Sequence, residues 1–403
     1  MIKVAVLGYG TVGRGVVEVI DKNKAMVNKK AGDELKIAYI LDLLDFPGDP
    51  HEKEVVHDIN VILEDPEVKI ICETMGGVGA AYKFTKQALE MGKSVCTSNK
   101  ELVAKYGPEL LETAATHSCN YLFEASVGGG IPIIRPLNYS LTAENIEGIT
   151  GILNGTTNYI LTKMENEGAA FKEVLKKAQE LGYAERDPEA DVEGHDACRK
   201  IAILASLMMG KMVDSEKIHT EGITGIKPED FKYAKASGRT IKLLAMAKAI
   251  DDKTVEAMVA PAMISRENPL AMVNDVFNAV LVTGNMLGDS MYYGKGAGKL
   301  PTASAVVSDV IDCARHKDKK IMCFWDKEEA VIADPKKSMS EFYIRAKTGC
   351  EAALEEAFPN GSIMTIPGRQ QDFAFFTEAV KEEDFAKICE SLGENVLSTL
   401  RLR

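Results

Sequence analysis

The chain has 403 residues, room for two or three domains of ordinary size. Hydrophobic residues make up 46% and charged ones 27%, a folded globular composition and not a disordered one. Lys+Arg number 48 against 60 Asp+Glu, so the net charge of −12 repels phosphate backbones and anionic lipid and argues against nucleic acid or membrane partners. No apolar run reaches the roughly 18–20 residues of a membrane span, and the start of the chain does not read as a signal peptide. The eight cysteines form no CxxC pair and no metal spacing. Free thiols in a reducing, cytoplasmic setting are therefore expected.

Short β-branched runs alternate with helical patterns over the first 125 residues, which predicts a parallel sheet wrapped by helices. The strands are expected at Ile2–Leu7, Ile37–Leu41, Lys69–Cys72, Ser94–Thr97 and Tyr121–Phe123, the helices at Val12–Asn28, Ala80–Met91 and Pro108–His117. After Gly128-Gly129-Gly130 the pattern changes. Helical stretches at Leu175–Leu181 and Ala197–Met209 mix with extended ones at Thr254–Ile264 and Val276–Thr283, as in an α+β domain with antiparallel sheet. The charged stretch Lys317–Ser340 reads as a linker or exposed edge. Glu341–Arg403 reads strand, helix, strand, strand, helix, strand.

The strongest local signal is VAVLGYGTVGRG, which places G-x-G-x-x-G at Gly8, Gly10 and Gly13 between a strand and a helix. The first glycine permits the tight turn, the second a close pyrophosphate and the third close helix packing. First-turn residues Thr11 and Val12 contribute N–H groups at the positive end of the helix. Asp42, at the end of the second strand, would accept from a ribose 2′-hydroxyl and repel a 2′-phosphate, leaning toward NAD. Thr74 in ETMGG and Lys100 in TSNKELVAKYG follow strands, where the crevice of such a sheet lies. Gly296 and Gly298 in GKGAGKLPTA open another helix and offer backbone to a cofactor.

Farther on, Asp196 and Lys200 share one face of a helix that is apolar all round. A shielded ammonium beside a carboxylate is a proton donor for a developing alkoxide, or else a structural ion pair. Cys198 reads as core packing and His195 as a capping or surface residue.

Taken in order, GYGTVGRG, ETMGG, SNKELVAKYG, FEASVGGGIP, GILNGTTNYIL, LGYAERDPEADVEGHDACRKIAILA and GAGKLPTASAVVSD resemble the homoserine dehydrogenase family over nearly all of residues 1–320. The resemblance implies interconversion of L-homoserine and L-aspartate 4-semialdehyde with NADP or NAD, in the route to threonine, methionine and isoleucine. Its implied architecture is a Rossmann-type doubly wound sheet over 1–130 completed by a helix near 300–318, a catalytic and dimerisation domain over 131–299, and an ACT-like βαββαβ unit over 341–403. It implies Lys200 as proton donor, Asp196 placing substrate and lysine, Lys100 near nicotinamide and substrate, and Glu185 and Gly155 in the substrate pocket. It also implies a monovalent cation, commonly sodium, on the carbonyls of Glu124, Val127, Gly129 and Ile131, and a homodimer or homotetramer. Two departures stand out. Val78-Gly79-Ala80 follows ETMGG where the family has an acidic residue and proline, and Lys347-Thr348-Gly349-Cys350 replaces the Asp-x-Pro-Gly stretch of ACT units.

Two rivals remain at this level. A thioester-forming aldehyde dehydrogenase needs a nucleophilic cysteine with a base, and no cysteine here has that setting. A nucleotide-sensing regulator would bind NAD without turnover and would not need the Asp196/Lys200 pair.

Overall fold

The computed structural model describes residues 1–317 and 319–403. The readings that include Asp318, the helix near 300–318 and the charged stretch after it, lie outside the described residues at that position. The chain folds as two compact units, one made of 1–147, 202–215 and 283–330, the other of 148–201, 216–282 and 331–403.

The first unit runs β1 (Ile2–Leu7), α1 (Thr11–Lys22), α2 (Lys24–Ala31), β2 (Leu35–Leu41), β3 (Val55–Val56), α3 (Ile59–Glu64), β4 (Val68–Glu73), α4 (Gly79–Glu90), β5 (Ser94–Thr97), α5 (Lys100–Thr116) and β6 (Tyr121–Leu122). Its strands pair in parallel in the order β3-β2-β1-β4-β5-β6. That order reverses between β1 and β4, the switch point at which dinucleotides bind in such sheets. β1 (IKVAVL) is apolar on both faces because helices cover both, as parallel sheets require. Val4, Val6, Val16, Ile20, Ile37 and Cys72 share one core with Val306 and Val310 of the helix Lys299–Arg315.

Three expectations are revised here. The helix expected at Val12–Asn28 is two helices, because Asn23 leaves helical geometry (φ −104°, ψ 19°) and α2 turns Val27 and Ala31 inward. The helix expected from Pro108 starts eight residues earlier, at Lys100. The Asn99 side chain accepts the Leu102 N–H and caps it, and Pro108 sits inside. The stretch after residue 317 is not uniformly exposed: Trp325 is buried edge-on against Phe123, and a Cβ on Gly107 would meet its ring at 2.7 Å.

The second unit contains β7 (Ile146–Ile152), α6 (Gly155–Glu167), α7 (Phe171–Glu180), α8 (Glu189–Val192), residues 195–201 of α9 (His195–Met209), β8 (His219–Thr220), α10 (Pro228–Ala236), β9 (Arg239–Ala249), β10 (Thr254–Ser265) and β11 (Phe277–Gly284). After them come β12 (Phe342–Lys347), α11 (Glu351–Ala357), β13 (Ser362–Met364), β14 (Asp372–Phe376), α12 (Glu382–Leu392) and β15 (Val396–Leu402). One sheet runs β11-β7-β9-β10-β15-β12-β14-β13. β10 pairs antiparallel along its length with β9, a strand that the sequence reading did not isolate, and in parallel with β8 and β15. Within the last segment the strands lie in the order fourth, first, third, second, the arrangement of a split βαβ unit. Its strand β15 continues the sheet by pairing with β10 at Ala262↔Arg401 and Met263↔Leu402. Buried ion pairs reinforce that junction: Arg401 forks onto Glu221 and Glu382, and Arg345 bridges Asp230 of α10 and Asp372.

α9 is buried because its middle, Ile201 to Ala205, is apolar on every side. Among the described residues no helix is long and apolar enough to cross a membrane.

Candidate functional site

At the switch point the β1–α1 turn is built around its glycines. Gly8 has φ +88°, a conformation that side chains disfavour. A Cβ on Gly13 would lie 1.9 Å from the Gly8 carbonyl oxygen, so the third glycine is required for packing. Nothing lies within 4 Å of a Cβ on Gly10, which faces a cavity of about 470 Å³. That cavity is lined by Gly8, Gly10, Asp42, His57, Thr74 and Phe84 among others, and its size suits part of a nucleotide.

Thr74 fixes the turn from the next strand. Its hydroxyl donates toward the carbonyls of Leu7 at 3.0 Å and Gly8 at 2.8 Å. Thr11 and Val12 stand in the first turn of α1, exposed and half-buried. Lys100 is the first residue of α5, behind the Asn99 cap, whose amide also donates to the Gly77 carbonyl at 2.7 Å. Gly298 (φ +121°) precedes the helix Lys299–Arg315, and a Cβ on Gly129 would strike the Gly296 carbonyl at 2.4 Å. Of the cofactor candidates, the cavity wall brings together Gly8, Gly10, Asp42 and Thr74; Thr11, Val12, Gly13, Lys100, Gly296 and Gly298 are outside it.

Just behind this rim lies a carboxyl that the sequence reading passed over. Glu73 is fully buried at the end of β4, where it accepts from Thr97 Oγ1 at 2.5 Å and from the Met75 N–H at 2.8 Å. Burial pushes its pKa up to about 7 despite those bonds. Thr97 in turn accepts the Asn99 N–H at 2.9 Å, so Glu73 supports the turn that begins α5.

In the second unit a tight polar cluster surrounds the start of α9. Lys200 Nζ donates to Asp196 Oδ2 at 2.6 Å and to the Leu153 carbonyl at 2.8 Å, with the lysine side chain 11% exposed and the aspartate 7%. An ammonium has three N–H donors, so two are spent and one is left. Asn154, the N-cap of α6, accepts the Thr157 N–H at 2.9 Å and donates to Asp196 Oδ2 at 2.9 Å and Asp191 Oδ1 at 2.7 Å. Burial and the neighbouring Asp196 charge both raise the Asp191 pKa. Asn154 and Asp191 were missed by the sequence reading; only the Asn-Gly-Thr-Thr cap pattern marks the first in advance.

Gly155 begins α6 so close to the Val276 carbonyl that a Cβ would lie 2.9 Å from it. Glu185 is not drawn into the cluster. It stands exposed in the turn before α8, and among the described residues no hydrogen bond ties its carboxylate to Asp196 or Lys200. Cys198 is buried and His195 exposed.

The segment 124–135 is also strongly ordered by polar contacts. The Glu124 carboxylate accepts the N–H groups of Ile133, Ile134 and Arg135 at 2.7, 3.0 and 2.7 Å. Arg135 pairs with buried Asp309 and with Asp312, the latter at 2.9 Å. Among the described residues, the carbonyls of Glu124, Val127, Gly129 and Ile131 accept no backbone hydrogen bond from outside the helices and strands. Among the described residues no cluster of three His, Cys, Asp or Glu side chains is poised for a metal.

A parallel sheet of this order with its glycine turn defines the dinucleotide-binding class. Comparison with known proteins narrows this further. The family profile "Homoserine dehydrogenase" matches residues 132–311, and "Homoserine dehydrogenase, NAD binding domain" matches residues 8–124. The chain is 47% identical over 316 residues to a homoserine dehydrogenase of Synechocystis, covering 77% of this chain and 73% of that one, and 43% identical over 317 residues to that of Bacillus subtilis, covering 77% and 72%. A solved homoserine dehydrogenase from Thiobacillus denitrificans superposes with TM-score 0.91 at 35% identity, covering 100% of this chain and 98% of that one. A hyperthermophilic archaeal homoserine dehydrogenase in complex with NADPH superposes with TM-score 0.66 at 30% identity, covering 77% and 97%. The chain belongs to the homoserine dehydrogenase family. It is an NAD(P)-dependent oxidoreductase that interconverts L-homoserine and L-aspartate 4-semialdehyde.

Proposed function

We propose that Lys200 is the acid of this reaction. When the bound nicotinamide supplies hydride to the aldehyde carbon, the carbonyl oxygen becomes an alkoxide, and Lys200 gives it a proton; in reverse, neutral Lys200 takes the proton of the homoserine hydroxyl. The observation that carries this reading is the geometry of the ammonium: two N–H groups anchored on Asp196 and the Leu153 carbonyl, one N–H unspent. Asp196 orients the lysine, Asn154 holds Asp196 in place, and Asp191 adds a second carboxylate for the substrate's ammonium group. Lys100, Glu185 and Gly155 complete the proposed set of substrate contacts.

The same reading gives the dinucleotide to the glycine turn, with Gly8, Gly10, Thr11, Val12, Gly13, Asp42 and Thr74 around it and Gly296 and Gly298 as further backbone contacts. The unclaimed carbonyls of Glu124, Val127, Gly129 and Ile131 are the right donor set for a monovalent cation such as sodium, which prefers oxygen ligands, and the Glu124 carboxylate adds negative potential nearby. A homodimer or homotetramer, an ACT-like role for residues 341–403 and a cytoplasmic setting belong to the same proposal.

The test follows reduced-nicotinamide absorbance with L-homoserine and NAD or NADP at alkaline pH, where neutral lysine is more abundant. Lys200→Ala is expected to lower kcat by about 10²–10⁴-fold with dinucleotide affinity within about twofold. Wild-type turnover by that variant would remove Lys200 from the mechanism, and dinucleotide binding without turnover by the wild type would favour a sensor.

A further inference from the structure

The sequence leans toward NAD because Asp42 stands where a carboxylate meets the ribose. In the structure that carboxylate is already engaged. Oδ2 accepts the Tyr9 N–H at 2.7 Å and Oδ1 accepts the Leu44 N–H at 3.1 Å. Two N–H dipoles aimed at its charge weaken the repulsion that a 2′-phosphate would meet there. The same Tyr9 offers its carbonyl to Arg14 Nε at 3.2 Å, so the residue between the first two glycines is gripped by a carboxylate on one side and a guanidinium on the other.

Arg14 is held as a platform. Its guanidinium carbon lies 5.0 Å from the Tyr9 ring centroid and 4.9 Å from that of Phe46. Those rings pack edge to face at 5.0 Å, and the Tyr9 hydroxyl donates to Asp49 at 3.2 Å. The side chain is exposed, and its two terminal nitrogens make no hydrogen bond or ion pair to any described residue. His57, which lines the cavity and can carry positive charge, is spent on the Asp42 carbonyl at 2.7 Å and on Asp45 Oδ1 at 3.0 Å.

We propose that Arg14 receives the 2′-phosphate of NADP and so admits NADP despite the acidic end of β2. The inference rests on the dinucleotide reading of the glycine turn. Its chemistry is that of a planar, permanently charged fork, already oriented by two rings, presenting paired N–H donors to a phosphate dianion. The sequence hides this, because Arg14 is one more letter in GYGTVGRG and only the fold brings Phe46 to it and Asp42 to Tyr9.

The test measures, by calorimetry, the affinities of ADP-ribose and of its 2′-phosphorylated form for the wild type, Arg14→Met and Arg14→Lys. Methionine keeps an apolar stem against Tyr9 and Phe46, so the ratio of the two affinities reports on phosphate and not on folding. The wild type is expected to bind the 2′-phosphorylated nucleotide at least as tightly as ADP-ribose. Arg14→Met should shift the ratio at least tenfold toward ADP-ribose, with Arg14→Lys between. A wild type that rejects the 2′-phosphate tenfold, or an Arg14→Met ratio moved by less than twofold while both nucleotides bind, overturns the proposal alone. Binding of neither nucleotide to the folded wild type overturns the dinucleotide reading and this proposal with it.

Discussion

Replacing Lys200 by methionine keeps the volume of the side chain but takes from buried Asp196 the ammonium whose N–H it accepts at 2.6 Å. Breaking one partner of a buried pair costs roughly 3–5 kcal/mol. Here Asn154 still donates to Asp196 at 2.9 Å, which places the expected loss at the lower end, about 3 kcal/mol. Asp196→Asn leaves an unpaired ammonium that retains the Leu153 carbonyl and its slight exposure, so about 2 kcal/mol is expected. The double variant has no orphaned charge. Its loss should fall short of the sum of the singles by about 0.5–3 kcal/mol, the range for groups in direct contact. Amide hydrogen exchange of the α9 segment, read by mass spectrometry for the wild type and the three variants, gives the local opening free energies for this cycle. Single losses that add to within about 0.5 kcal/mol would show that the 2.6 Å pair is not coupled and would refute the reasoning that Asp196 holds Lys200 in place.

Two further outcomes separate roles within the glycine turn and behind it. Gly10→Ala adds a methyl to open space and should leave the unfolding temperature nearly unchanged while weakening dinucleotide binding at least tenfold, whereas Gly13→Ala drives a Cβ into the Gly8 carbonyl and should cost about 3 kcal/mol or more of stability; thermal unfolding beside nucleotide titration distinguishes them, and equal unfolding temperatures would contradict the geometry. Glu73 has a folded pKa of about 7 against an ordinary 4.5, so the folded state binds its proton more tightly than the unfolded state does. Its contribution is fully present below about pH 4.5 and is lost as pH rises through 7, a change of roughly 3 kcal/mol that Glu73→Gln should abolish; parallel stability–pH curves for variant and wild type would contradict the assignment.

Much of the first unit was legible because its signals are local. A strand, a glycine turn and a helix N-terminus follow one another within fifteen residues, and hydrophobic runs of the right length mark β1, β2, β4 and β5. The errors there are also local in cause. The expected helix ranges followed the local pattern, whereas Val27 and Ala31 are drawn inward by the core and the Asn99 cap starts α5 early. The second unit was less legible, since β9 and β10 are alike in composition and only their pairing tells a strand from a buried helix segment.

The Lys200 cluster shows the same boundary between local and distant information. Asp196 and Lys200 could be paired from helix spacing alone, because four residues put two side chains on one face. Asn154 and Asp191 could not, since they reach Asp196 from two other segments, 42 and 5 residues away in the chain, and nothing in either stretch signals the other. What they contribute is nonetheless decisive for the chemistry. A lysine facing one carboxylate would be a plain ion pair. A lysine whose carboxylate is itself clamped by an amide, beside a second carboxyl whose pKa burial and that charge have raised, sits in a field that responds when a substrate's ammonium arrives. Under the proposed mechanism Asp191→Asn is expected to raise KM for homoserine and leave kcat nearly unchanged, and a loss confined to kcat would contradict that division of roles.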